Sequence, residues 1–67
     1  MLTWDASYEI ALALAEAHPD IDLDGVGTEQ LCTWVLALPD FEDDPELVNE
    51  RFLVAILREW YEEFSGI

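Results

Sequence analysis

The chain has 67 residues, of which 52% are hydrophobic, and sixteen Asp and Glu face two Arg, for a formal net charge of −14. This length predicts one domain over residues 1–67, and the charge excludes nucleic acid and anionic membranes as partners because both are negatively charged. The single Cys, Cys32, permits no intrachain disulfide. The single His, His18, belongs to no Ser/His/Asp set, so we expect a protein that is not an enzyme.

The first predicted helix spans residues 6–17. Asp5 is its predicted N-cap, because a carboxylate can accept free backbone N–H groups there. Pro19 ends the helix, since proline disfavours helical geometry in the residue before it. Apolar residues recur at helical spacing and form the predicted buried stripe: Ile10, Ala13, Leu14 and Ala17.

Residues 20–25 read DIDLDG, which resembles the opening of an EF-hand calcium loop. The twelfth loop position should hold a bidentate Glu but is Leu31, so a calcium site lacks two of its oxygens. We therefore interpret this segment as a solvated turn whose Asp side chains cap nearby backbone groups. His18, at the end of the first helix, is interpreted as a structural residue whose charged form suits the helix dipole.

Two further helices are predicted, over residues 29–38 and 45–64. Thr28 is the predicted N-cap of the former, and Asp44 followed by Pro45 is a strong start signal for the latter. Gly66 lies beyond the predicted end of the last helix. No strand pattern is evident, so the predicted fold class is all-α. The apolar faces are Leu31, Trp34, Val35 and Leu38 in one helix, and Val48, Phe52, Ala55, Ile56, Trp60 and Phe64 in the other.

Residues 40–44 form the densest acidic segment, here called the acidic loop. Asp44 is accounted for as a cap, while Asp40, Glu42 and Asp43 form an exposed oxygen-rich cluster that suits magnesium, manganese or ferrous iron. From the residues alone, a weak cation site and a merely solvated acidic run remain equally open. Phe41, in the middle, is the predicted anchor of the loop to the core.

The order of these pieces resembles the IscX family, small bacterial proteins encoded with the iron–sulfur cluster assembly machinery. The most specific element is DFEDDP at residues 40–45 followed by NE at residues 49–50. The remaining matching segments are LTW at 2–4, EI at 9–10, HPDID at 18–22, Trp34, AIL at 55–57 and Trp60.

The resemblance implies a compact three-helix fold with winged-helix-like packing and no DNA-binding role. It implies a regulator that binds the cysteine desulfurase IscS in competition with the bacterial frataxin homologue. We also expect a monomer, located in the cytoplasm because no targeting segment is visible and the longest apolar run is too short to span a membrane. The resemblance also implies weak binding of ferrous iron through Asp40, Glu42, Asp43 and Asp44. The family's acidic partner-binding surface corresponds here to Glu16, Asp20, Asp22, Asp40, Glu42, Asp43 and Asp44.

Two other functions remain open from the sequence. One is a ferrous iron carrier for cluster assembly, in which iron affinity itself would matter. The other is a small acidic interaction module unrelated to iron. In every case a net charge of −14 attracts a cation or a basic protein surface.

Overall fold

The computed structural model describes residues 1–65, in which three α-helices are connected through two short 3-10 turns. The helices are α1 (Ser7–Ala17), α2 (Thr28–Leu36) and α3 (Glu50–Ser65), and the 3-10 turns are Leu23–Gly25 and Pro45–Leu47. The predicted all-α class with three helices is confirmed. The residue predicted to follow the last helix, Gly66, lies outside the described residues.

The caps of the first two helices differ from the prediction. Asp5 does not cap α1, because it accepts a hydrogen bond from the Thr3 hydroxyl instead. The N-cap is Ala6, which has no side-chain cap and whose N–H donates to the Thr3 carbonyl at 3.0 Å. In α2 the N-cap is Gly27, and Thr28 is already helical. A local backbone turn therefore starts α1 without a capping side chain.

The predicted helix over residues 45–64 is two separate elements. The Asp44 carboxylate accepts the Glu46 N–H at 2.9 Å and starts a single 3-10 turn, as a cap followed by proline should. Val48 then adopts an extended conformation (φ −60°, ψ 139°) that breaks the helix. Asn49 starts a new one, because its side-chain oxygen accepts the Phe52 N–H at 3.1 Å. The prediction of a single long helix was therefore wrong, because the cap at Asn49 starts a second element after the one that Asp44 starts.

The core draws on all three helices and on both connecting segments. The apolar faces predicted for the three helices are largely confirmed, but Ala17 at the end of α1 is exposed and Phe64 near the end of α3 is 57% exposed. No helix within residues 1–65 is long and apolar enough to cross a membrane. The buried residues are Trp4, Ile10, Ala11, Leu14, Leu23, Leu31, Val35, Leu38, Leu53, Ile56 and Trp60.

Trp4 joins the N-terminal segment to the acidic loop and to α3. Its side chain is 1% exposed, and its indole N–H donates to the Asp44 carbonyl at 2.8 Å. The ring meets Phe41 edge-on, with centroids 4.8 Å apart, and stacks on Phe52 with centroids 6.3 Å apart. Aromatic pairs in these geometries add stability beyond the area that they bury.

We predict that Trp4→Ala destabilises the fold by about 3–5 kcal/mol, because it leaves a large cavity. That is a large share of the roughly 5–15 kcal/mol that keeps a typical domain folded. Urea unfolding followed by far-UV circular dichroism measures the change. Tyr8→Ala is the matched control, since Tyr8 is 49% exposed. Equal losses of stability in the two variants would contradict the anchoring role of Trp4.

Candidate partner-binding surface

The acidic loop is held against the N-terminal segment by backbone hydrogen bonds. The Leu2 N–H donates to the Asp40 carbonyl at 2.7 Å, and the Glu42 N–H donates to the Leu2 carbonyl at 2.9 Å. These bonds form an isolated parallel β-bridge between Leu2 and Phe41. The loop is therefore a fixed part of the fold, even though most of its side chains are exposed.

Asp43 and Asp44 direct their carboxylates to backbone donors. Asp43 accepts the Trp4 N–H at 2.9 Å and the Asp44 N–H at 2.7 Å, and Asp44 accepts the Glu46 N–H. Hydrogen bonds of N–H groups to a carboxylate are among the stronger ones in proteins. Two of the four residues predicted to bind ferrous iron therefore already stabilise the loop.

Asp40 and Glu42 are exposed, as is Asp44, but unlike Asp44 they do not cap a backbone N–H group. They flank Phe41, and successive side chains alternate between the two sides of an extended segment. Phe41 is half-buried against the core and Trp4, so its predicted role as an anchor is confirmed. Within residues 1–65, neither Asp40 nor Glu42 takes part in a side-chain hydrogen bond.

The predicted metal ligands do not converge on one point. Among residues 1–65, no group of three or more His, Cys, Asp or Glu side chains is arranged to hold a metal ion. This also holds for the three Asp of residues 20–25, where a calcium loop was considered. Iron binding by Asp40, Glu42, Asp43 and Asp44 thus stays a prediction, without a preformed site.

The fold places Glu16 of α1 and Asp40 of the acidic loop in the lining of the same cleft. This shallow cleft lies between the end of α1 and the segment that follows α2. The two residues are far apart in the sequence, so only the tertiary structure puts them in one cleft. Two residues of the partner-binding surface predicted from the sequence therefore line a common concave surface.

The acidic connector after α1 is tied to the end of α3. Asp20 and Asp22 are both exposed, and Asp22 accepts the Asp24 N–H at 3.1 Å, which confirms for Asp22 the predicted capping of local backbone. The Tyr61 hydroxyl donates to the Asp24 carboxylate. This hydrogen bond is the main reason why the pKa of Tyr61 is raised above its ordinary value, with burial and the negative charges of Asp24 and Asp22 adding to it.

No local pattern predicts the Tyr61–Asp24 contact, because the two residues are 37 positions apart. His18 ends α1 as predicted, but no local pattern predicts its contact with Trp34. Its ring stacks on Trp34 with centroids 4.1 Å apart and an interplanar angle of 22°. His18 thus packs in an aromatic group with Trp34 and the buried Trp60. Its contacts are those of a structural residue.

Comparison with known proteins adds two findings. A family model described as iron-sulphur cluster assembly matches residues 2–65. An uncharacterized protein of Pseudomonas aeruginosa is 42% identical over 62 residues, which cover 92% of this chain and 94% of that protein. The similarity therefore spans the helices, the acidic loop and the connector after α1 together.

We predict that Asp43→Ala destabilises the protein by about 1–3 kcal/mol, because it leaves the partly buried Trp4 N–H without its acceptor. Glu42→Ala removes the same charge from the same loop but should change stability by no more than about 0.5 kcal/mol, as exposed substitutions usually do. Paired urea titrations at one ionic strength measure the difference. Indistinguishable midpoints would show that the Asp43 carboxylate does not hold the loop.

Proposed function

Because the chain belongs to the iron–sulphur cluster assembly family, we propose that it is a non-catalytic acidic adaptor that binds the cysteine desulfurase IscS and regulates it. The family predicted from the sequence, IscX, is the one that the match confirms. A role in iron–sulphur cluster assembly follows from that membership. The choice of partner, its regulation and the cytoplasmic location are our proposal.

The observation that carries the proposal is an acidic loop that is fixed in place and flanked by further acid. Asp40 and Glu42 are exposed on a segment whose backbone is bonded to Leu2, and Glu16 lies beside it. A rigid surface loses little conformational entropy when it binds. A strongly negative field also raises the rate of encounter with a basic surface. These features suit docking onto a basic region of the desulfurase.

The proposed regulation follows from where such a surface would sit. An acidic protein that occupies a basic region near the desulfurase active site limits access for other acidic proteins that use the same region. We therefore propose that this chain and the bacterial frataxin homologue bind the desulfurase in competition. The Glu16, Asp40 and Glu42 side chains would form the centre of the contact, and Asp20 and Asp22 would extend it.

We predict that Asp40→Lys/Glu42→Lys weakens desulfurase binding at least tenfold more than Glu29→Lys/Glu63→Lys does. The two variants change the net charge equally, but only the first places like charges directly at the contact, which costs several kcal/mol, and about 1.4 kcal/mol is tenfold. Isothermal titration calorimetry with purified IscS at low and raised salt measures both affinities.

Wild-type affinity should also fall as salt is raised, because exposed charges are screened. Circular dichroism spectra of the two double variants serve as the folding control. Equal losses of affinity in both variants would mean that the overall charge, and not the acidic loop, directs binding. Salt-independent affinity of the wild type would count against electrostatic docking altogether.

We also propose that ferrous iron binds weakly through Asp40 and Glu42, with lesser participation of Asp43 and Asp44. The supporting observation is that the first two carboxylates are exposed and the other two already accept backbone N–H groups. Carboxylate oxygens are suitable ligands for such a cation, but two of them without His or Cys make a poorly selective site. Bound iron would neutralise the charges that dock.

We predict that Asp40→Asn/Glu42→Gln abolishes this iron binding, whereas Glu29→Gln/Glu63→Gln leaves it unchanged. Anaerobic calorimetry with ferrous iron measures the affinities. The alternative function, an iron carrier, requires wild-type affinity much tighter than millimolar and the loss of iron before the loss of the partner. If the loop variant binds iron as the wild type does, Asp40 and Glu42 are not the ligands.

A further inference from the structure

A shallow cleft of about 280 Å³ lies beside the acidic loop. One side is the C-terminal half of α1, and the other is the segment that leads from α2 into the loop. Apolar side chains form most of the lining, including Leu2, Ala13, Ala17 and Leu38. Each side also contributes one acidic residue, Glu16 from α1 and Asp40 from the loop. The cleft is thus apolar inside and negatively charged at its edges.

Both sides of this cleft are held by the core. Leu38 is 9% exposed, Leu2 packs against the core cluster, and the Leu2 N–H donates to the Asp40 carbonyl at 2.7 Å. Ala13 also packs against the core. The concavity therefore exists before a partner arrives, and small residues on α1 keep it open.

The size and charge of the cleft define what it can accept. Pockets for drug-sized molecules span about 300–1,000 Å³, so this cleft suits a single side chain better. A cleft with apolar walls and charges of one sign focuses its field and attracts the opposite charge. The occupant that satisfies both has an apolar stem and a cationic head, which describes lysine and arginine.

We propose that the cleft receives one basic side chain, preferably arginine, from the surface of the protein that this chain binds. The aliphatic stem would lie on the apolar lining, with the guanidinium near Glu16 and Asp40. Arginine is preferred because it presents five N–H donors and is enriched among the residues that dominate binding energy. This inference rests on the proposed docking to a basic partner and names its anchoring contact.

The cleft and the rest of the acidic surface act on different steps of binding. Exposed charges mainly raise the association rate and are screened by salt. A side chain seated in a preformed cleft is partly removed from water, so its contacts chiefly slow dissociation. The cleft would also fix the orientation of the complex, which a diffuse negative field cannot do by itself.

The first experiment fills the cleft without changing any charge. Ala17→Trp places an indole in the cleft from an exposed position in the last turn of α1, and Val54→Trp places the same group on the exposed side of α3 as the control. We expect Ala17→Trp to weaken binding to purified IscS at least about tenfold, mainly through faster dissociation. The control should bind as the wild type does.

The second experiment tests the cleft without the partner. Isotope-labelled protein is titrated with N-acetyl-arginine amide, and with N-acetyl-citrulline amide as a neutral probe of nearly the same shape. We expect arginine-specific shifts of the backbone NMR signals of Ala13, Ala17 and Leu38. These shifts should vanish in Ala17→Trp, whose fold is checked by the remaining signals of the spectrum.

The outcomes separate this inference from the proposed function. If Ala17→Trp binds the desulfurase as tightly as the wild type does, the cleft does not receive a side chain of the partner. Salt-sensitive binding would in that case still support the adaptor role. Failure of the wild-type protein to bind the desulfurase overturns the adaptor role. In that case the arginine titration decides: shifts confined to the cleft support the inference, and their absence overturns it.

Discussion

The arrangement of the acidic surface depends on the packing of Trp4 in the core. Its ring packs between Phe41 of the acidic loop and Phe52 of α3, while its indole and backbone N–H groups bind Asp44 and Asp43. A chain this short buries only about 60% of its unfolded surface, so each large side chain matters. One tryptophan here supplies apolar burial and two hydrogen bonds at the same point.

The acidic loop illustrates how a dense run of carboxylates can be made compatible with folding. Neighbouring negative charges repel one another unless donors or opposite charges offset them. Arg51 and Arg58 both lie on α3, and within residues 1–65 neither forms an ion pair with a carboxylate of the loop. Backbone N–H groups take their place, with Asp43 and Asp44 as acceptors. The remaining carboxylates, Asp40 and Glu42, are left for contacts with other molecules.

The difference between the bonded and the remaining carboxylates affects the two proposed activities in different ways. Docking needs exposed charge on a fixed backbone, and the bonds to Leu2 supply the fixed backbone. Iron binding needs several oxygens around one point, yet no such group forms within residues 1–65. The loop is therefore better suited to recognition of a basic protein surface than to retention of a metal ion. The cleft between Glu16 and Asp40 adds a shaped element to that recognition.

The sequence by itself determined the fold class, the approximate helices, the family and the importance of acid. The helices follow from helical periodicity and the Asp44–Pro45 start signal, the importance of acid follows from composition, and the family follows from the resemblance of short motifs, all of which are local. Tertiary structure alone decided that Asp43 accepts the Trp4 N–H, that Tyr61 donates to Asp24, and that Glu16 and Asp40 line one cleft. Each of these features involves residues far apart in the chain. Whether a carboxylate accepts a backbone N–H group or stays exposed depends on which segment packs beside it. No local pattern encodes that choice.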